Sequence, residues 1–403
     1  MGVEAPDTLN LLEVPVGDLK PGMYVAALDR PWLGTPFLMQ GFVVRDQAEI
    51  DSVAEHAAIV YVDPGRQSRE KYPEAKPQAR KPKYREQTSL KQEYKAAQVD
   101  LTSASKTIEN VFAQLKNGGK IDVGAVQTAI NPLIDSVLRN SEAMASLVRM
   151  RLKGDYLYNH SLTVSVWAAI FGRHLGFDRT RLTSLALGGA LIDTGMATVP
   201  DEIILATGPL TPDQMTVVRK HVDDGVAHLR KSHQVDQDVI GMVATHHERH
   251  DGSGYPRGLE GVDIPVFGRI AGMIDSYDAM ITTRPHAKPR SSFQAMREIA
   301  NLKNKKFQGE LVEQFMQAIG LFPTGSVVEL NSGEIGVVVQ QNTTRRLRPK
   351  VIVVLDAEGD KQENLVVLDL SKYDKEGNSE SDLWIAHELQ PGAHGIQPNE
   401  YFL

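Results

Sequence analysis

The sequence predicts a multi-domain chain in which a small β-rich module, an all-α core and a small β-barrel-like module follow one another. Three observations predict this. Apolar and polar residues alternate near both ends, apolar residues recur at helical spacing through the middle, and a stretch almost free of aliphatics separates the first module from the rest. A length of 403 residues allows two or three domains, and 41% hydrophobic with 24% charged residues suits a soluble protein with sizeable cores.

Residues 1–65 make the first module. VPVGDLKPGMYVAALDR alternates around a Lys20-Pro21-Gly22 turn, and GFVVRD is another short strand. Gln47 to His56 is helical, and AAIVYVD completes the module as a strand. Trp32 and Phe37 lie between strands, where core packing is a better use of both than ligand contact. Residues 66–89 contain RQSREKYPEAKPQARKPKYRE, which cannot bury enough apolar surface to offset its conformational entropy and reads as a solvated linker. Residues 90–153 hold two helical stretches, Leu90–Asn117 and Val123–Lys153, broken at Asn117-Gly118-Gly119. They would cover the core or pair with a second subunit, which leaves a homodimer open. Residues 154–322 are helix after helix. Residues 323–403 return to strand patterning, with turns at Ser332-Gly333 and Glu358-Gly359 and a polar, extended stretch from about Ser371.

A formal net charge of −7 argues against a dominant polyanion-binding role. The absence of cysteine removes disulfides, thiolate ligands and a cysteine nucleophile together, and it fits a reducing compartment. With no signal-peptide pattern and no apolar run long enough to span a bilayer, the expectation is a cytoplasmic protein without membrane contact.

Chemistry concentrates in the helical region. YNHS brings His160, LIDTG brings Asp193, RKHVDDG brings His221, THHERHDGSGYP brings His246, His247 and Asp251, and MIDSYDAM brings Asp275 and Asp278. One histidine on an apolar helix is usually a packed core residue. Several such patches in one domain supply the imidazole and carboxylate mix that binds Zn, Mn or non-haem Fe. Asp193 and Asp275 sit among aliphatics, where a neutralising cation would offset the cost of a buried carboxylate. A zincin helix is excluded, because HExxH would need His where Asp251 stands and the pair His246 and His250 carries its Glu on the wrong face. His174, His228 and His233 have no matching partners and read as surface or packing residues, and Arg345, Arg346, Arg348 and Lys350 as a solvated basic strand face.

HHERHDGSGYPRGLEG followed by RIAGMIDSYDAMITTRP closely resembles the signature of HD-GYP proteins, a bacterial branch of the HD phosphohydrolases, and VPDEIILATGPLTPDQMTVVRKHVDDG is similar to that family's middle block. The N-terminal module, with GMYVAALDRPW, is similar to a domain of unknown role that often precedes this core. The resemblance implies an all-α HD-type phosphohydrolase core and a cyclic di-GMP phosphodiesterase that uses two or three metal ions. It implies metal ligation by His160, Asp193, His221, His246, His247 and Asp275, with Asp193 bridging two metals and Asp193 and Asp275 serving catalysis. It implies phosphate binding by Arg284, and a substrate-side loop of Gly254, Tyr255 and Pro256 that in the family also contacts signalling proteins.

The sequence departs from the family at Ile192, where the histidine of the His-Asp pair is expected, and at Met196, where a lysine is expected. One metal would keep Asp193, His221, His246 and His247; the other would keep only His160, Asp193 and Asp275. The expectation is a degenerate HD-GYP protein that binds one or two transition-metal ions (Fe or Mn, with Zn as a further option) and cyclic di-GMP, with weak or absent phosphodiesterase activity. The alternative is an active enzyme that yields linear pGpG or GMP despite both substitutions. A third reading, a structural His/Asp set around an empty cavity, predicts no bound metal.

Overall fold

A computed structural model describes residues 12–29, 42–44, 46–62, 84–150, 156–206, 208–232, 235–282, 289–342, 345, 347–373, 382–390 and 392–402. Trp32, Phe37, His233, Arg284 and Arg346 lie outside the described residues. The chain forms two compact units, Met1–Lys81 and Pro82–Leu403.

In the first unit, β1 (Leu12–Pro15), β2 (Tyr24–Leu28), β3 (Phe42–Val43) and β4 (Ile59–Val62) form an antiparallel sheet in the order β1-β4-β2-β3, with helix α1 (Gln47–Ala54) before the last strand. The alternation that predicted the strands buries Val25, Val60 and Val62 with Val16, Val44 and Val53. Gly22 takes a φ of 96° at the predicted turn, a conformation that costs glycine nothing. Asp46 caps α1 by accepting from the Glu49 amide at 3.0 Å.

The second unit begins with α2 (Leu90–Lys116), opened by a capping box between Ser89 and Gln92. Its buried face runs through Tyr94, Ala97, Leu101, Ala104, Ile108, Val111 and Leu115 and packs on the following helices, so it covers the core of its own chain. The second predicted stretch is two helices, α3 (Val123–Arg139) and α4 (Ser141–Met150). Asn140 divides them. Its backbone is extended, its Oδ1 accepts from the Ala143 amide at 3.0 Å, and its Nδ2 donates to the Thr88 carbonyl at 2.8 Å. A side chain that caps a new helix competes with continuation of the old one, a signal the apolar periodicity hides. The end of the stretch read as linker is anchored too, since the Tyr84 hydroxyl donates to the Phe177 carbonyl at 2.7 Å.

The core continues with α5 (Tyr156–His174), α6 (Arg179–Ala190), a 3-10 turn (Thr194–Thr198), α7 (Asp201–Ile204), α8 (Pro212–Arg219), α9 (His221–Lys231) and α10 (Gln237–Thr245). A loop leads to α11 (Val266–Ile281), then α12 (Ser292–Asn301) and α13 (Gly309–Ile319). Trp167, Phe171, Tyr277 and Phe315 fill the interior, in edge-on ring contacts at 5.3 to 5.8 Å. Two glycines set close approaches. A Cβ on Gly189 of α6 would lie 2.8 Å from the Ser165 Cα of α5, and one on Gly195 would lie 1.9 Å from the His221 carbonyl oxygen.

The C-terminal strands β5 (Val327–Leu330), β6 (Ile335–Gln340), β7 (Lys350–Leu355), β8 (Lys361–Asp369) and β9 (Ile385–Glu388) make an antiparallel sheet in the order β8-β7-β6-β5-β9. Strand β9 comes from the stretch read as polar and extended; a short helix, α14 (Asn399–Phe402), follows. Arg149 of α4 fastens the sheet to the helices, donating to Ser326 Oγ at 2.9 Å and pairing with Glu388 at 3.4 Å. In the basic cluster, Arg348 is spent on the Tyr373 and Leu383 carbonyls and on Asp382. Among the described residues no helix is long and apolar enough to cross a membrane.

Candidate metal centre

Five parts of the helical core bring the predicted residues together. Helix α5 supplies His160, the turn after α6 supplies Asp193, the start of α9 supplies His221, the end of α10 supplies His246 and His247, and the middle of α11 supplies Asp275. The close approach at Gly195 carries Asp193 to His221. Any side chain at that position would push the 3-10 turn off α9.

On one side lie Asp193, His221, His246 and His247, with one ligand atom from each lying within 4.8 Å of all the others. His221 Nδ1 donates to the Val218 carbonyl at 2.6 Å and His246 Nδ1 to the Val243 carbonyl at 2.8 Å. Each ring therefore turns its Nε2 inward, and the two Nε2 atoms face each other at 3.3 Å. Asp193 Oδ1 adds a third acceptor, 3.4 Å from His221 Nε2 and 3.8 Å from His246 Nε2. Buried imidazole nitrogens and a carboxylate oxygen that converge this closely suit a shared cation. Donors held about 2.0–2.1 Å from one tetrahedral ion stand about 3.3 Å apart, so the spacing fits. Burial, with His221 beside it, pushes the His246 pKa down to about 4. Burial and the neighbouring His246 likewise hold His247 well below the usual histidine range. Both rings are thus neutral, the form that binds metal.

On the other side His160 Nε2 lies 2.9 Å from Asp275 Oδ1 and 3.6 Å from Asp193 Oδ2. Asp275 Oδ2 also reaches within 3.8 Å of His247 Nδ1, which joins the two sides. Burial opposes ionisation of Asp275, but the His160 hydrogen bond and the surrounding imidazoles outweigh it and hold the carboxyl below its usual range. Ile192 is fully buried and offers no ligand atom, and Met196 is half-buried on the 3-10 turn. The predicted phosphate contact, Arg284, lies outside the described residues.

Asp278 is a member of this site to which the sequence reading gave no role. Its Oδ2 lies 2.7 Å from His160 Nδ1, and its Oδ1 accepts from the Trp167 indole at 3.2 Å. With Nδ1 committed to Asp278, Nε2 is fixed as the nitrogen that faces Asp275 and Asp193. A signal existed, since positions three apart share a helix face and Asp278 follows Asp275 by three.

The loop after α10 forms the rim. Glu248, buried, accepts from the Arg257 amide at 2.8 Å and the Leu259 amide at 3.0 Å. Its lone pairs are spent on holding the loop, which agrees with the exclusion of a zincin base. A Cβ on Gly254 would lie 2.4 Å from both the Arg249 nitrogen and the Glu248 Cα, so only glycine fits there. Tyr255, joined to Pro256 by a cis peptide, stacks on His247 with ring centroids 4.6 Å apart. Burial pushes its phenol well above the usual range, so it stays protonated. His250 is not drawn into the cluster.

This arrangement of histidines and aspartates within a helical bundle defines an HD-domain protein, a class of metal-dependent phosphohydrolases, and the HD domain family matches residues 134–311. A domain of unknown function matches residues 11–126, and a KOW domain associated with HD domain matches residues 327–376. A cyclic di-GMP phosphodiesterase of Pseudomonas aeruginosa is 31% identical over 359 residues, covering 86% of this chain and 86% of that protein. A cyclic di-GMP phosphodiesterase of Thermotoga maritima is 35% identical over 161 residues, 40% of this chain and 44% of that protein. A 3'3'-cGAMP-specific phosphodiesterase of Vibrio cholerae is 28% identical over 198 residues, 49% of this chain and 38% of that protein. The chain belongs to the HD-GYP family.

Proposed function

We propose that this chain binds a transition metal, Fe or Mn before Zn, together with cyclic di-GMP, and that it hydrolyses the nucleotide weakly or not at all. The observation that carries the reading is the asymmetry of the site. Three imidazoles and Asp193 converge on one side, whereas Ile192 gives the His160 side nothing. In this reading His221, His246, His247 and Asp193 hold the firmer ion, while His160, Asp193 and Asp275 hold a looser one. Bound there, such ions activate water and stabilise charge developing on a phosphodiester. Asp193 and Asp275 serve that chemistry, Arg284 binds phosphate, and the Gly254-Tyr255-Pro256 loop shapes the substrate side. Met196 supplies no charge to the developing anion, which further lowers turnover.

The test is anaerobic purification with added Mn or Fe, metal analysis, and hydrolysis of cyclic di-GMP followed over hours, with 3'3'-cGAMP as a competitor. Metal and nucleotide binding with little linear product is the expected outcome. Robust turnover would establish the second reading, an active phosphodiesterase, which the likeness over 86% of the chain to a protein of that name favours. A protein that retains no metal after mild purification overturns both. The double variant Ile192→His with Met196→Lys is expected to raise hydrolysis about tenfold or more and to tighten the looser ion. No gain in a variant that holds two metals would place the defect elsewhere.

A further inference from the structure

Arg219 ends α8 two residues before His221, and its side chain is exposed. Its guanidinium carbon lies 4.9 Å from the centroid of the Tyr255 ring. Tyr255 stacks in turn on His247, with 28° between the rings. A cation, a phenol and a candidate metal ligand are therefore layered from the rim inward. The guanidinium lies over the tyrosine ring, a cation–π contact that holds the charge at the rim without using up its N–H donors. Among the described residues those donors meet no acceptor, and no carboxylate lies within ion-pair reach of Arg219.

The other arginine close to Tyr255 is differently placed. Arg249 donates to the His246 and Glu248 carbonyls, both at 3.0 Å, and to Ser276 Oγ at 3.4 Å, so its donors are committed to the backbone that carries the histidines. The acidic side chains around the cluster are Asp193, Asp275 and Asp278, and Met196 adds no positive charge. A cyclic dinucleotide carries two phosphodiesters. One can sit at the metal ligands; the second then needs a donor at the rim.

We propose that Arg219 is the substrate-binding residue for that second phosphate, held at its post by the face of Tyr255. This rests on the reading of the site as a cyclic-dinucleotide site. A planar guanidinium with free edge donors suits two phosphate oxygens at once, which a lysine does not reproduce.

The experiment is calorimetric titration of the full-length, Mn-loaded protein with two probes: cyclic di-GMP, and the linear dinucleoside monophosphate GpG, which has a single phosphodiester. Arg219→Ala is expected to weaken cyclic di-GMP binding about tenfold or more and GpG binding by less than about twofold, with the bound metal unchanged. Arg219→Lys is expected to lose about threefold on cyclic di-GMP, because it keeps charge without the fork. Wild-type affinity for cyclic di-GMP in Arg219→Ala overturns the assignment alone. Equal weakening of both probes, or loss of metal, would show that Arg219 only props Tyr255, and it also overturns the assignment. A wild-type protein that binds neither probe overturns the underlying reading of the site, and this proposal with it.

Discussion

The two halves of the candidate metal centre share Asp193 and differ in almost everything else. On the α9–α10 side, histidines from two helix ends are preset: carbonyls one turn back hold their Nδ1 protons, and their Nε2 atoms converge at 3.3 Å. On the α5–α11 side a single histidine stands between carboxylates, steered by Asp278 from behind, with Ile192 packed into the apolar core. The difference teaches that the fold can gather this set of side chains without a polar group at residue 192. The helices that pack around it are stabilised by Trp167, Phe171, Tyr277 and their neighbours, and those contacts do not depend on residue 192.

The comparison can be broken or sharpened by substitution. The largest effect is expected from His246→Ala, which removes a proposed ligand from the half proposed to hold the firmer ion. Affinity for the tight ion should fall by more than about a hundredfold, beyond the range typical for outer-shell changes. Metal titration of the apoprotein measures it, and an unchanged affinity would mean the ion binds elsewhere. Asp278→Asn should act on the weaker half alone, loosening the second ion about tenfold to a hundredfold and leaving the first in place. Equal loss at both sites would show that Asp278 serves the fold rather than His160. The smallest effect lies outside both halves. Burial, with Glu86 nearby, raises the Glu142 pKa to about 7 from 4.5. A raised carboxyl pKa makes the folded state hold its proton more tightly, so this group's contribution to stability is full below about pH 4.5 and is lost as pH rises towards 7. Glu142→Gln should therefore stabilise the protein more at pH 8 than at pH 5, with no effect on metal content. Thermal unfolding at the two pH values checks the sign.

Much of this was legible in the sequence because it is periodic or local. The face of α2 from Tyr94 to Leu115 follows from spacing, and the turns at Gly22, Gly333 and Gly359 follow from composition. The patches offered eight His and Asp candidates, the family resemblance singled out six of them, and the fold brings those six together. What stayed hidden depends on distant contacts. Asn140 looks like any polar helix residue until its side chain is seen capping α4 and holding Thr88. Gly195 looks like one glycine among many until the His221 carbonyl is found where a Cβ would be. Nothing in the sequence marks Arg219, because the Tyr255 ring it meets is 36 positions away.

Glu248 has a consequence beyond its contacts. By fixing the Arg257 and Leu259 amides, it commits the loop to one shape while the protein folds. Lys306, bonded to Ser253 and paired with Asp251, fastens the other end. The entropy of ordering this rim is then lost once, during folding, and not again each time a ligand arrives. A ligand that meets the rim through Tyr255 encounters an ordered surface, and its affinity reflects contacts and desolvation rather than the work of assembling the site.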